Sequence, residues 1–163
     1  VPVPLTAAQR AALIDRYERG PALLAAAWAK VPAEARQWRP GPGRWSAHEV
    51  IVHCGDSESN AMLRIRFLLT EENTRIQAYD QAHWAKVLDY HTLPVEPAMA
   101  AAIAVRANTV PLLRRMTETD WQRAGVHPES GPYNAERWLQ VYAEHLEKHS
   151  GQIERNLEAW RKK

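Results

Sequence analysis

Apolar residues recur at helical spacing through most of this chain. Leu13, Ile14 and Tyr17 share one face, as do Leu23, Leu24, Ala27 and Trp28. This predicts a first helix over residues 6–30, kinked or broken at Gly20-Pro21, where proline removes a backbone donor. Ser46-Ala47-His48-Glu49 is a capping-box pattern, so a second helix starts at Ser46 and runs to about Leu69. Trp45, just before the cap, can staple onto its first turn. A short helix is expected over Gln81 to Leu88. A third long helix is expected from Val95 to Glu118, bent at Pro111. Asn134 is a good N-cap for the last helix, which extends to about Arg161. Its apolar positions Trp138, Val141, Tyr142, Leu146, Ile153, Leu157 and Trp160 follow the 3.6-residue period. Residues 39–43 and 125–132 read as loops. No segment reads as a β-strand, and Val50-Ile51-Val52 lies inside a helical pattern. The expectation is an all-α fold: one domain over residues 1–163, built as a four-helix bundle with one long connection.

Composition narrows the functional classes. The chain has 163 residues, enough for one ordinary domain. Its net charge of +2, with basic residues scattered, gives no footprint for nucleic acid. No apolar run reaches the length of a membrane span. The opening Val1-Pro2-Val3-Pro4 lacks the pattern of a signal peptide. Cys54 is the single cysteine, which excludes an internal disulfide and any multi-cysteine zinc site. These features fit a cytoplasmic protein that acts on a small molecule. There is no GxGxxG, GxxxxGK[ST] or GxSxG, so no phosphate-cradling loop or nucleophile elbow is signalled. No Glu-x-x-His occurs, which disfavours a di-iron bundle.

The histidines carry the chemistry. His145-Leu146-Glu147-Lys148-His149 sets two imidazoles at i and i+4, about 40° apart on one helix face. Gln152 follows on that face. The surrounding apolar stripe turns the pair toward the bundle interior or its edge. Imidazoles placed there need partners for their ring nitrogens; a cation, backbone groups or acidic side chains would all serve. On the second helix, His53 has Glu49 at i−4 and Asp56 at i+3. If the two helices pack as neighbours, His53 supplies a third imidazole. Three neutral imidazoles suit zinc, nickel, iron or copper and leave a coordination position open. Glu49, Asp56 and Gln152 are candidates to orient ligand rings or hold a water. His48 and His53 fall about 140° apart and cannot share one ion as in a zincin motif. Asp80 and Trp84, at i and i+4, are candidates to cover the site. His127 reads as a surface residue of its loop; His83 and His91 read as ordinary polar residues.

Arg44-Trp45-Ser46-x-x-Glu49-x-x-x-His53-x-x-Asp56-x-Glu58, followed about ninety residues later by His145-x-x-x-His149-x-x-Gln152-Ile153, resembles the DinB superfamily. Within it the chain is most similar to the YfiT-like metal-dependent hydrolases. Ile76-Gln77-Ala78-Tyr79-Asp80-Gln81-x-x-Trp84-Ala85 and Gly131 extend the resemblance over nearly the whole chain. The resemblance implies an up-up-down-down four-helix bundle, often a homodimer. It also implies a mononuclear site whose ligands are His53, His145 and His149, holding a divalent ion, zinc or nickel. The superfamily includes S-transferases and isomerases that use a low-molecular-weight thiol. An activated water would then give hydrolysis and an activated thiol would give S-transfer, with Glu49 or Asp56 as a base relay and Gln152, Trp84 and Asp80 toward the substrate. The competing expectation is a non-catalytic metal-binding or stress-response bundle.

Overall fold

Three of the long helices begin where a side chain can cap them. In the computed structural model, which describes residues 3–163, Thr6, Ser46 and Asn134 each accept the amide three residues on. Val1 and Pro2 of the opening segment lie outside the described residues. The Thr6 and Ser46 caps are reciprocal boxes, closed by Gln9 and Glu49. The elements are α1 (Ala7–Ala29), α2 (Ala47–Thr70), α3 (Gln81–Val87), α4 (Val95–Arg114), α5 (Glu118–Gln122), β1 (Ala124–His127), β2 (Gly131–Asn134) and α6 (Ala135–Arg161). Among the described residues, no helix is long and apolar enough to cross a membrane.

Contacts between the long helices fix their directions. Arg10 meets Glu136 near one end of α1, and Lys30 meets Glu154 beyond the other, so α1 and α6 run parallel. Gly55 lies against Ala98 and Arg66 reaches Thr109, so α2 and α4 also run parallel. Asn156 donates to the Trp45 carbonyl and Trp138 to that of Ala61, so α6 runs against α2. The order is up-down-down-up, which corrects the up-up-down-down order implied by the resemblance. The reason is the long connection over residues 71–94, including α3. It carries the chain back along the bundle, so α4 starts at the same end as α2.

Three other expectations are corrected. Of the kink or break expected at Gly20-Pro21, the break does not occur: α1 is continuous through Pro21. The missing proline N–H frees the Tyr17 carbonyl, and Arg106 Nη1 donates to it at 2.6 Å. The third long helix stops at Arg114, because Thr117 and Asp120 form a capping box that starts α5. Residues 124–134 contain a hairpin, pairing Ala124 with Asn134 and His127 with Gly131. Its strands have four residues each and include Gly and Pro, so no alternating pattern announces them.

The core divides into two main clusters. One packs Tyr17, Ile65, Leu68, Leu113, Trp121, Trp138 and Tyr142 near the hairpin. The other packs Leu24, Val50, Ile51, Cys54, Leu146, Ile153 and Leu157. Each fully buried aliphatic side chain contributes about 1.5–3 kcal/mol. Between them the bundle holds polar groups: His53, Glu58 and Arg106 are each at most 1% exposed.

Candidate metal centre

Antiparallel packing of α2 against α6 brings His53 beside the His145–His149 pair. One nitrogen from each of the three rings can be chosen so that all lie within 4.8 Å of one another. The His53 ring centre is 5.5 Å from that of His145 and 4.8 Å from that of His149; the latter two are 4.6 Å apart. Trp45 packs on His53 at 4.8 Å, and Tyr142 lies 5.6 Å from His145. These aromatic rings wall the cluster.

The three imidazoles differ in their other partners. His145 Nδ1 donates to Glu58 Oε1 at 2.9 Å, which leaves the lone pair on Nε2. His149 Nδ1 donates to Gln152 Oε1 at 2.9 Å, with the same result. Neither nitrogen of the fully buried His53 finds a hydrogen-bond partner among the described residues. A buried, unpaired polar atom is costly, by about 1–3 kcal/mol. A cation would satisfy it.

Burial keeps two of the three rings neutral. Burial, reinforced by His149 and His145, lowers the His53 pKa to about 2. Burial and then His145 lower that of His149 to about 4, against the pull of its bond to Gln152 and of the Glu58 charge. Both rings therefore keep a lone pair for a cation at neutral pH. Burial alone would raise the Glu58 pKa, but the Arg106 guanidinium and the His145 hydrogen bond hold it below the usual carboxylate range. Arg106 makes a bidentate pair with Glu58, Nε to Oε2 at 2.9 Å and Nη2 to Oε1 at 2.8 Å.

The two carboxylates expected beside His53 are engaged elsewhere. Glu49 accepts from the Ser46 amide and from Arg39, as its capping role requires. Asp56 accepts from the Tyr90 hydroxyl at 2.5 Å. Gln152 reaches the cluster, but through His149. Trp84 stacks on Tyr79 with ring centres 4.5 Å apart, and Asp80 caps α3 through the His83 amide. His127 Nδ1 accepts the Glu129 and Ser130 amides in the hairpin turn. His91 bonds the Ser46 hydroxyl at 2.7 Å. Residues not singled out from the sequence also reach the cluster. Glu58 stands within the quoted motif, Arg106 on α4 gives no local signal, and the Ser57 hydroxyl lies 3.3 Å from His145 Nε2.

Comparison with known proteins agrees with this geometry. Residues 16–153 match the DinB superfamily. A protein of Oceanobacillus iheyensis, provisionally named a metal-dependent hydrolase, is 37% identical over 111 residues, 68% of this chain and 64% of its own length. Another of that provisional name, from Bacillus licheniformis, is 29% identical over 86% of this chain and 80% of its own. The chain thus spans just under two thirds of the first of these relatives. YfiT from Bacillus subtilis, described as a probable metal-dependent hydrolase with an unusual four-helix bundle topology, superposes with a TM-score of 0.88 at 25% identity, over 99% of this chain and 91% of its own. A mycothiol-dependent maleylpyruvate isomerase shares the fold, with a TM-score of 0.70 at 13% identity, over 88% of this chain and 60% of its own. With the match running through the segments that carry all three clustered histidines, the chain belongs to the DinB superfamily.

Proposed function

We propose that this protein is a metal-dependent enzyme acting on a small electrophilic molecule, with His53, His145 and His149 holding one divalent ion, zinc or nickel. The observation that carries this reading is His53: a wholly buried imidazole with both nitrogens unpaired among the described residues, facing two others whose Nδ1 protons are already committed. A ring used only for packing would be better replaced by an apolar one. The provisional names of the relatives, as metal-dependent hydrolases, support the same reading.

A divalent ion on three imidazoles supplies Lewis acidity and lowers the pKa of a water or thiol that binds it. The protein does the rest. Glu58 and Gln152 fix two ring orientations, while Trp45 and Tyr142 shield the cluster. Ser57 offers a hydroxyl beside the ligand nitrogen of His145. Water as the attacking group makes the enzyme a hydrolase. A low-molecular-weight thiol makes it an S-transferase or isomerase, a reading supported by the fold shared with a mycothiol-dependent isomerase.

The test pairs metal analysis with turnover. His149→Ala is expected to lose most of its zinc or nickel and all hydrolysis or thiol conjugation across a panel of electrophiles. Full metal occupancy in that variant would contradict the ligand set. Metal binding without turnover in the unmodified protein would favour a non-catalytic metal-binding bundle.

A further inference from the structure

The Glu58–Arg106 pair links the histidine cluster to the break in the α1 hydrogen-bond ladder. Arg106 is 1% exposed and Glu58 is fully buried. The guanidinium makes four hydrogen bonds: two to Glu58, one to the Tyr17 carbonyl at 2.6 Å and one to the Tyr142 carbonyl at 2.8 Å. The Tyr17 carbonyl is free because Pro21 has no N–H to give it. The space is free because residue 20 is glycine: a Cβ there would lie 2.6 Å from Arg106 Nη1. The Tyr17 ring covers the guanidinium from 4.0 Å. Three helices thus clamp one cation whose charge is answered by one carboxylate. That carboxylate keeps one further bond, to Nδ1 of His145.

We propose that Glu58, clamped by Arg106 and through it by the Gly20-Pro21 step of α1, is the positioning residue of the metal centre, fixing the tautomer and ring orientation of His145. The inference rests on the metal reading above. The bond to Oε1 places the proton on Nδ1 and leaves the Nε2 lone pair for the cation. An anionic acceptor also makes the imidazole a stronger donor to a metal than the neutral Gln152 acceptor makes His149. Glu58 touches neither cation nor substrate; it acts through His145. Because Arg106 fixes both carboxylate oxygens, Glu58 cannot rotate away when the site empties. The His145 ring stays aimed in the metal-free protein.

The experiment is a zinc titration against a chromophoric chelator, with cobalt as a spectroscopic probe. Glu58→Gln keeps the side-chain shape and removes the charge; it is expected to weaken zinc binding about 10-fold. The double variant Glu58→Leu/Arg106→Met removes both buried charges together, a change that bundles tolerate better than loss of either charge alone. It is expected to fold, to weaken zinc about 10- to 100-fold and to shift the cobalt absorption bands. Arg10→Met, at a buried pair remote from the histidines, is the control and is expected to leave zinc affinity unchanged. Wild-type zinc affinity and cobalt bands in Glu58→Gln would overturn the proposal, and would do so even if the double variant failed to fold. Failure of the unmodified protein to bind zinc, nickel or cobalt would instead overturn the metal reading itself.

Discussion

Two arginines lie almost wholly buried in this bundle, and each faces a buried glutamate. Arg10 and Glu136 join α1 to α6 near the end of the bundle, at 2.8 Å. Glu136 also accepts the Leu5 amide, and Arg10 reaches the exposed Glu118, so the cluster ties down the start of the chain. Arg106 and Glu58 join α4 to α2, also at 2.8 Å. There the carboxylate's remaining bond goes to a histidine of the candidate metal centre. Distance does not separate the two pairs; what each glutamate touches next does. One pair closes the end of a fold, and the other holds a histidine of the candidate centre.

That contrast is broken most strongly by removing one charge of each pair. Arg106→Met leaves Glu58 buried and unanswered, and is expected to cost about 3–5 kcal/mol in urea unfolding. Arg10→Met is expected to cost less, since Glu136 keeps the Leu5 amide and the cluster borders water at Glu118, which is 76% exposed. Equal losses would mean that the two pairs are energetically alike and that burial of the Arg106 clamp is unimportant.

Acid acts on the histidine cluster itself. His53 and His149 titrate near pH 6.5 when unfolded but near 2 and 4 in the metal-free fold. Below pH 6.5 the unfolded chain therefore binds more protons than the folded one, and stability falls as pH falls. The loss continues down to about pH 4 for His149 and about pH 2 for His53. Its slope is at most about 1.4 kcal/mol per pH unit for each ring. Guanidinium unfolding of the metal-free protein at pH 7, 6 and 5 measures it. A flat profile over that range would show that the rings are not held neutral by burial.

The sequence made the histidines legible because helical period and chain order both act locally. His145 and His149 share a face by spacing, and the capping box of Ser46 and Glu49 sets the start of the helix that carries His53. The same capping box explains the fate of Glu49: a carboxylate committed to its own helix N-terminus cannot also orient a ring one turn along. The role of Glu58, a residue of the quoted motif, has no local signal, for a geometric reason. Glu58 lies five residues beyond His53, about 140° around α2, so it is off that histidine's face. Its partners, His145 and Arg106, come from two other helices. Pro21 gave a clear local signal, a broken ladder, but its answer stands 85 residues away in sequence on α4, and only the packed bundle shows it. The hairpin was hidden because backbone pairing of Gly131-Pro132-Tyr133-Asn134, not side-chain alternation, makes it a strand.

The central claim is that three imidazoles from α2 and α6 share one divalent ion. Elemental analysis of untagged protein, alone and after loading with zinc or nickel, tests it most directly alongside His53→Phe. The unmodified protein is expected to hold one equivalent of metal per chain, and a folded His53→Phe variant almost none. A folded His53→Phe protein that retains a full equivalent, or an unmodified protein that takes up none, would contradict that claim.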